Sequence, residues 1–170
     1  CLNHLRDAVA KTPTLPPPKL MLAGFYLQSG QRNIGRRLLE DVASEDEKSA
    51  ILYVTFGRLA LEDGRLHDAA LNFEKAESIL PDEDLEESEK ATFASAIRGG
   101  HIAIAERRGN WEAAQSLIAT QIKTDPDDAS LRRRWAVALF AAGRRERAFE
   151  QFDIAHRQNN ELNRPEIAMA

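Results

Sequence analysis

The sequence predicts an all-α solenoid of antiparallel helical hairpins, and three observations lead there. Gly30, Gly64, Gly109 and Gly143 each follow a stretch of helical character and stand 34, 45 and 34 residues apart. Five residues after each glycine comes a small side chain (Gly35, Ala69, Ala114, Ala148), and four further on a large apolar one (Leu39, Phe73, Ile118, Phe152). Val42, Ala76, Gln121 and Ala155 follow, then Glu47, Pro81, Pro126 and Asn160. Composition agrees: of 170 residues, 43% are hydrophobic, 29% charged and only 6% aromatic, which suits a helix-rich chain with a wide solvated surface.

Each column has a physical reason. The glycine ends one helix in a turn with positive φ, which is cheap only without a Cβ. The small residue lets two antiparallel helices approach, and the large one fills the gap a turn further on. Proline marks where the second helix stops. Such a hairpin cannot bury its apolar face alone, so successive hairpins must stack.

The pattern resembles the tetratricopeptide repeat. Residues 50–83 match most fully, with Tyr53, Phe56, Gly57 and Ala60 before Gly64, and Ala69, Phe73, Ala76 and Pro81 after it. Residues 129–162 keep Trp135, Ala136, Leu139, Gly143, Ala148, Phe152 and Ala155, with Asn160 in place of the proline. Residues 95–128 keep Ile102, Ala105, Gly109, Trp111, Ala114, Ile118 and Pro126 but put Gln121 in a small-residue column. Residues 16–49 keep Leu22, Ala23, Tyr26 and Gly30, and depart at Gly35 and Glu47. The resemblance implies a right-handed superhelix whose first helices line a concave, protein-binding groove. Pentatricopeptide arrays, which read RNA, usually have a period one residue longer.

Taken in order, residues 1–15 read as the second helix of a truncated preceding repeat, with Cys1, Leu5, Ala8 and Pro13 in its columns. Residues 16–49 form repeat 1, entered through Pro16, Pro17 and Pro18, and 50–83 form repeat 2, with a Ser44/Glu47 capping box ahead of it. Residues 84–94 are an insertion of eleven residues. That is about three helical turns, so a helix can absorb it without changing face. The first helix of repeat 3 (95–128) is therefore expected to run from Asp84 to Arg108, the acidic stretch 81–90 suiting its N-terminus; a solvated acidic loop is the alternative. Gly99 and Gly100 fall inside that helix, each costing ~1 kcal/mol relative to alanine, so a close neighbouring helix is expected there. Asp125 reads as the N-cap of repeat 4 (129–162), with Pro126 in its first turn. Residues 163–170 start a further repeat. Neither end shows a polar cap, so the chain is expected to derive from a longer array.

No catalytic constellation is present. His4, His67, His101 and His156 are scattered without metal-ligand spacing, and there is neither a phosphate loop nor a nucleophile elbow. Cys1 alone makes no intrachain disulfide or cysteine zinc site. The expectation is no enzyme, no cofactor and no metal. A net charge of −4 argues against nucleic acid or a membrane surface as partner, and no run approaches the ~18 apolar residues of a membrane span. A soluble chain is expected, cytoplasmic by preference, though its compartment is not encoded in these residues.

Under the resemblance, the groove face presents Leu20, Gly24, Leu27 and Gln28, then Ile51, Val54, Arg58, Leu61 and Glu62. It continues through Gly99, Ala103, Glu106 and Arg107 to Arg133, Val137, Phe140 and Ala141. The carboxylate clamp of chaperone-binding members is absent: its places hold Leu20, Gly24, Thr55, Ala96 and Gly100, or, one repeat later, Val54, Arg58, Gly100, Ser130 and Arg134, of which Arg134 alone fits. Arg132, Arg133, Arg134, Arg144, Arg145 and Arg147 cluster around the last glycine, but consecutive helical residues point about 100° apart, so they cannot all share one patch. The expected function is a non-enzymatic protein-interaction scaffold that holds a peptide or helical segment, of unidentified source, in its groove. The alternatives are a self-association or assembly module, or the recruiting arm of a larger enzyme or secretion protein.

Overall fold

The computed structural model describes residues 2–12, 15–45 and 49–170. Its helices are α1 (Leu2–Lys11), α2 (Pro18–Gln28), α3 (Arg32–Glu45), α4 (Ala50–Glu62), α5 (Leu66–Ile79), α6 (Glu87–Arg107), α7 (Trp111–Ile122), α8 (Ala129–Ala141), α9 (Arg145–Gln158) and α10 (Pro165–Ala168). A single 3-10 turn, Leu80–Asp82, follows α5, and the described residues include no strand. Neighbouring helices pack in sequence as α2/α3, α4/α5, α6/α7 and α8/α9 hairpins, with α1 against α2 and α10 against α9.

The four hairpin turns share one geometry. Gly30, Gly64, Gly109 and Gly143 have φ between 68° and 78°. In each, the glycine N–H donates three residues back and the next N–H donates five back: Gly64 to Leu61 (3.0 Å) and Arg65 to Ala60 (2.8 Å) are one such pair. This double bond pattern satisfies the last carbonyls of the first helix and reverses the chain.

The small and large columns meet in the core. Gly35, Ala69, Ala114 and Ala148 are buried, as are Leu39, Phe73, Ile118 and Phe152. Phe73 shows why glycine sits where it does. Its ring lies between α4 and α6, where a Cβ on Gly57 would stand 2.9 Å from Phe73 Cζ and a Cβ on Gly100 closer still. His101, on α6, packs a tilted ring 5.9 Å from that of Phe73. Gly99, by contrast, has open space at its Cβ position, so the expected close approach belongs to Gly100.

Three helix starts differ from expectation. Ser44 lies inside α3, its hydroxyl donating to the Asp41 carbonyl (2.7 Å), and Glu47 falls outside the described residues. The N-cap of α4 is Ser49, whose side chain makes no cap; the Ala50 N–H donates instead to Glu83 Oε2 at 3.1 Å. Helix α8 is capped by Asp128, which accepts from the Leu131 N–H (2.9 Å), while Asp125 and Pro126 lie in the preceding turn. Helix α6 begins at Glu87 rather than Asp84, because Glu86 and Glu89 form a reciprocal capping box there. At 21 residues it is well beyond the 13 of α4 and α8, and its Phe93 and Ala94 pack on the α4/α5 core.

Candidate binding groove

Helices α2 and α4 enclose a cleft of about 310 Å³. Gly24, Leu27 and Gln28 line it from α2, Thr55, Arg58, Leu59 and Glu62 from α4, and Arg32 from the first turn of α3. The bare Gly24 leaves its floor open, with nothing near the position a Cβ would take. Five expected groove residues (Gly24, Leu27, Gln28, Arg58 and Glu62) are thus brought together. Arg32, Thr55 and Leu59 were not expected. Thr55 and Leu59 lie a helical turn and one residue from Arg58, so the first-helix pattern carried a signal for them. Arg32 sits on a second helix, where a first-helix pattern carries none.

The charges at one end of the cleft neutralise each other. Arg32 donates to Glu62 Oε2 (2.8 Å) and to Asp63 Oδ1 (2.7 Å), and Arg65 donates to Asp63 Oδ2 (3.1 Å) and Asp68 Oδ2 (2.6 Å). The hydrogen bond from Arg65, and then the nearby charge of Arg32, holds the Asp63 carboxyl below the usual carboxylate range. The same network, led by the bond to Glu62, raises the Arg32 guanidinium. Arg58 stands apart: it is exposed, and among the described residues no carboxylate lies within ion-pairing distance of it. The Thr55 hydroxyl donates to the Ile51 carbonyl (2.7 Å) and is therefore partly committed.

Other expected groove residues are placed elsewhere. Leu20, Val54 and Leu61 are only 6%, 5% and 9% exposed and belong to the hairpin cores. They sit on the helix edge where groove and hairpin packing overlap, and packing takes them. Ile51 lines a separate cleft of about 580 Å³ with Leu15, Pro16, Pro17 and the acidic segment after α5. Arg107 donates to the Leu61 carbonyl and so ties α6 to the end of α4. Glu106 accepts two bonds from Arg134 (3.0 and 2.8 Å). Ala103 packs on the α4/α5 core, and Ala141 is exposed. Arg133 and Val137 are exposed on α8, while Phe140 is half-buried against Ala136, Leu139, Ala148 and Phe152.

The arginine cluster is dispersed. Arg132 donates to Gln158 (3.2 Å), Gln151 (3.0 Å) and the Pro126 carbonyl (2.8 Å), anchoring α8 to α9 and the preceding turn. Arg134 turns to Glu106, and Arg144 donates to Gln115 at 3.2 Å. Arg133 projects separately. Among the described residues, no three His, Cys, Asp or Glu side chains converge as a metal site, and no helix is long and apolar enough to cross a membrane.

No protein-family model matches the chain. Ribonuclease Y of Clostridium kluyveri is 31% identical over 147 residues, covering 76% of this chain. The chain spans only 28% of that relative's length. Solved structures align far more completely. MamA covers 94% of the chain and 87% of its own, at a TM-score of 0.68 and 16% identity. YrrB, a tetratricopeptide-repeat protein with an unusual peptide-binding site, covers 94% and 77% at a TM-score of 0.67 and 14% identity. A tetratricopeptide-repeat protein from Parabacteroides merdae covers 92% and 57% at 0.63 and 18%. At these identities the likeness is one of fold, and it joins the four shared turns and the repeated core columns: the chain folds as a tetratricopeptide-repeat α-solenoid.

Proposed function

We propose that the chain is a non-enzymatic protein-interaction module that holds a short peptide or helical segment, centred on the cleft between α2 and α4. One observation carries this reading. Among the described residues Arg58 has no carboxylate partner, and it stands beside apolar Leu27 and Leu59 in a cleft where Arg32 and Glu62 pair with each other. Arginine is among the residue types that anchor protein interfaces, and its planar fork matches a carboxylate. It favours a segment with a carboxylate flanked by an aliphatic side chain. Arg133 and Val137 on α8 extend the same surface in this proposal. The net charge of −4 and the dispersal of the arginines favour a protein partner over nucleic acid.

Selection from a phage-displayed random peptide library tests the reading. Enriched sequences should carry Asp or Glu beside Leu, Ile or Val, and Arg58→Gln should weaken them about tenfold while Arg132→Gln changes little. A selection that enriches nothing, or peptides indifferent to Arg58→Gln, would overturn it.

A further inference from the structure

The glycine spacing widens from 34 to 45 residues between the second and third turns, and the extra chain reshapes one edge of the array. Helices α4 and α6 both end two residues before their glycines, yet α6 has 21 residues and α4 has 13. The added length, about two turns, therefore lies at the start of α6, which overhangs α4 there. The N-cap residues of three successive first helices, Pro17, Ser49 and Glu86, all line the cleft of about 580 Å³ beside this overhang. Its walls are the connector into α2, the start of α4 and the run from α5 into α6. The groove near Arg58 lies at the other end of α2 and α4.

The cleft joins an apolar floor to an acidic mouth. Leu15, Pro17, Ile51, Leu85 and Phe93 supply the floor, Leu85 and Phe93 being half-buried on the α4/α5 core and Ile51 on the α2/α3 core. Among the described residues every charged side chain that lines it is acidic: Glu83, Asp84, Glu86, Glu87 and Glu89. Three of these carboxylates serve helix starts. Glu83 accepts from the Ala50 N–H (3.1 Å), Glu89 accepts from the Glu86 N–H (3.2 Å), and Glu86 completes the capping box. Asp84 and Glu87 are exposed, and among the described residues their side chains have no hydrogen-bond or ion-pair partner. The neighbouring lysines turn elsewhere, Lys90 to the Pro81 carbonyl (3.2 Å) and Lys19 to Glu45. A helix start carries only about half a positive charge, so capping leaves a surplus of negative charge at the mouth.

We propose that this cleft binds an extended segment of a partner polypeptide in which lysine or arginine alternates with aliphatic residues. A cleft of this volume takes a few side chains rather than a whole helix. In an extended chain successive side chains point to opposite sides, so the aliphatic set enters the floor. The basic set folds its apolar stems over the rim and brings its charges to Asp84 and Glu87. No three of the carboxylates converge as a metal site, which favours charges spread along a chain over a single divalent ion. The charge preference is opposite to that proposed for the groove between α2 and α4, so the two sites select different segments.

The probe is a fluorescein-labelled peptide in which three leucines alternate with three lysines, titrated against the chain by anisotropy. Binding should saturate, and the same peptide with serine in place of leucine should bind about tenfold more weakly or worse. Asp84→Asn combined with Glu87→Gln should weaken the leucine peptide about tenfold. Asp127→Asn combined with Glu161→Gln, an equal loss of charge at exposed positions elsewhere, should change it by less than about twofold. Leu15→Ser, at an exposed part of the floor, should weaken it severalfold without entering a buried core. A thermal melt of each variant assigns any loss to the cleft rather than to the fold. Arg58→Gln should leave this binding intact, so failure here is distinguishable from failure of the groove reading. Absence of saturable binding, equal affinity for the serine peptide, or equal losses from the two charge pairs would overturn the proposal.

Discussion

The Phe73 ring occupies the volume that a side chain on Gly100 would need. The two residues come from different hairpins, and a Cβ on Gly57 would also stand 2.9 Å from the same ring. Gly99 has no such neighbour. Two adjacent alanine substitutions should therefore act in opposite directions. Gly99→Ala should stabilise by ~1 kcal/mol, since it removes a helix-interior glycine into open space. Gly100→Ala should destabilise by ~1–3 kcal/mol, as overpacking displaces a fully buried ring. Urea unfolding of both variants checks this; equal shifts of one sign would contradict the wedge.

Ala69 is fully buried at the crossing of α4 and α5. Ala69→Leu should cost ~1–3 kcal/mol, because the added methylenes have no space between helices that close. A thermal midpoint within about 1 °C of the parent would mean the crossing is loose, given the usual several degrees per kcal/mol.

Phe140 packs on the α8/α9 core while half-exposed. Phe140→Ala should therefore cost about 2–3 kcal/mol of stability, somewhat below the loss from a fully buried phenylalanine. Its effect on peptide affinity, measured in the folded protein, should be small compared with that of Arg58→Gln. The reverse order would return Phe140 to the binding surface.

The Asp63 carboxyl is held below its ordinary value of 3.8. A depressed carboxylate stabilises the fold above its unfolded pKa and loses that contribution as pH falls through the lower folded value. Arg32 and Arg65 remain charged throughout. Asp63→Asn should thus melt earlier than the parent near neutral pH, and the gap should close as pH drops below the ordinary carboxylate range. A gap that stays constant with pH would show that Asp63 acts through packing rather than charge.

The hairpins were legible because each turn needs a residue with positive φ and each crossing needs a small one, and few residue types meet those demands. Helix starts were less legible. A cap contributes only ~1 kcal/mol, so tertiary contacts decide among several candidates. Ser44 and Glu47 spelled a capping box, yet α3 runs through Ser44 and a carboxylate from the far end of its hairpin serves α4. The groove was half legible for a related reason. Gly24, Leu27, Gln28, Arg58 and Glu62 share a cleft, but Leu20, Val54 and Leu61 have the same spacing and the same apolar character as residues a groove could use. Only the position of the next helix separates the two sets, and that position is set by chain far away in sequence.

The bond from Ala50 to Glu83 joins the first residue of the α4/α5 hairpin to the segment just past its last turn. The carboxylate also faces the positive end of the α4 dipole. Fraying at either terminus of this hairpin therefore breaks a bond that the other terminus holds. The two ends should open together, and amide exchange at the start of α4 and the end of α5 should report one shared opening event rather than two. A solenoid usually unravels unit by unit from its edges; here one internal unit is latched shut, so the array should come apart around it.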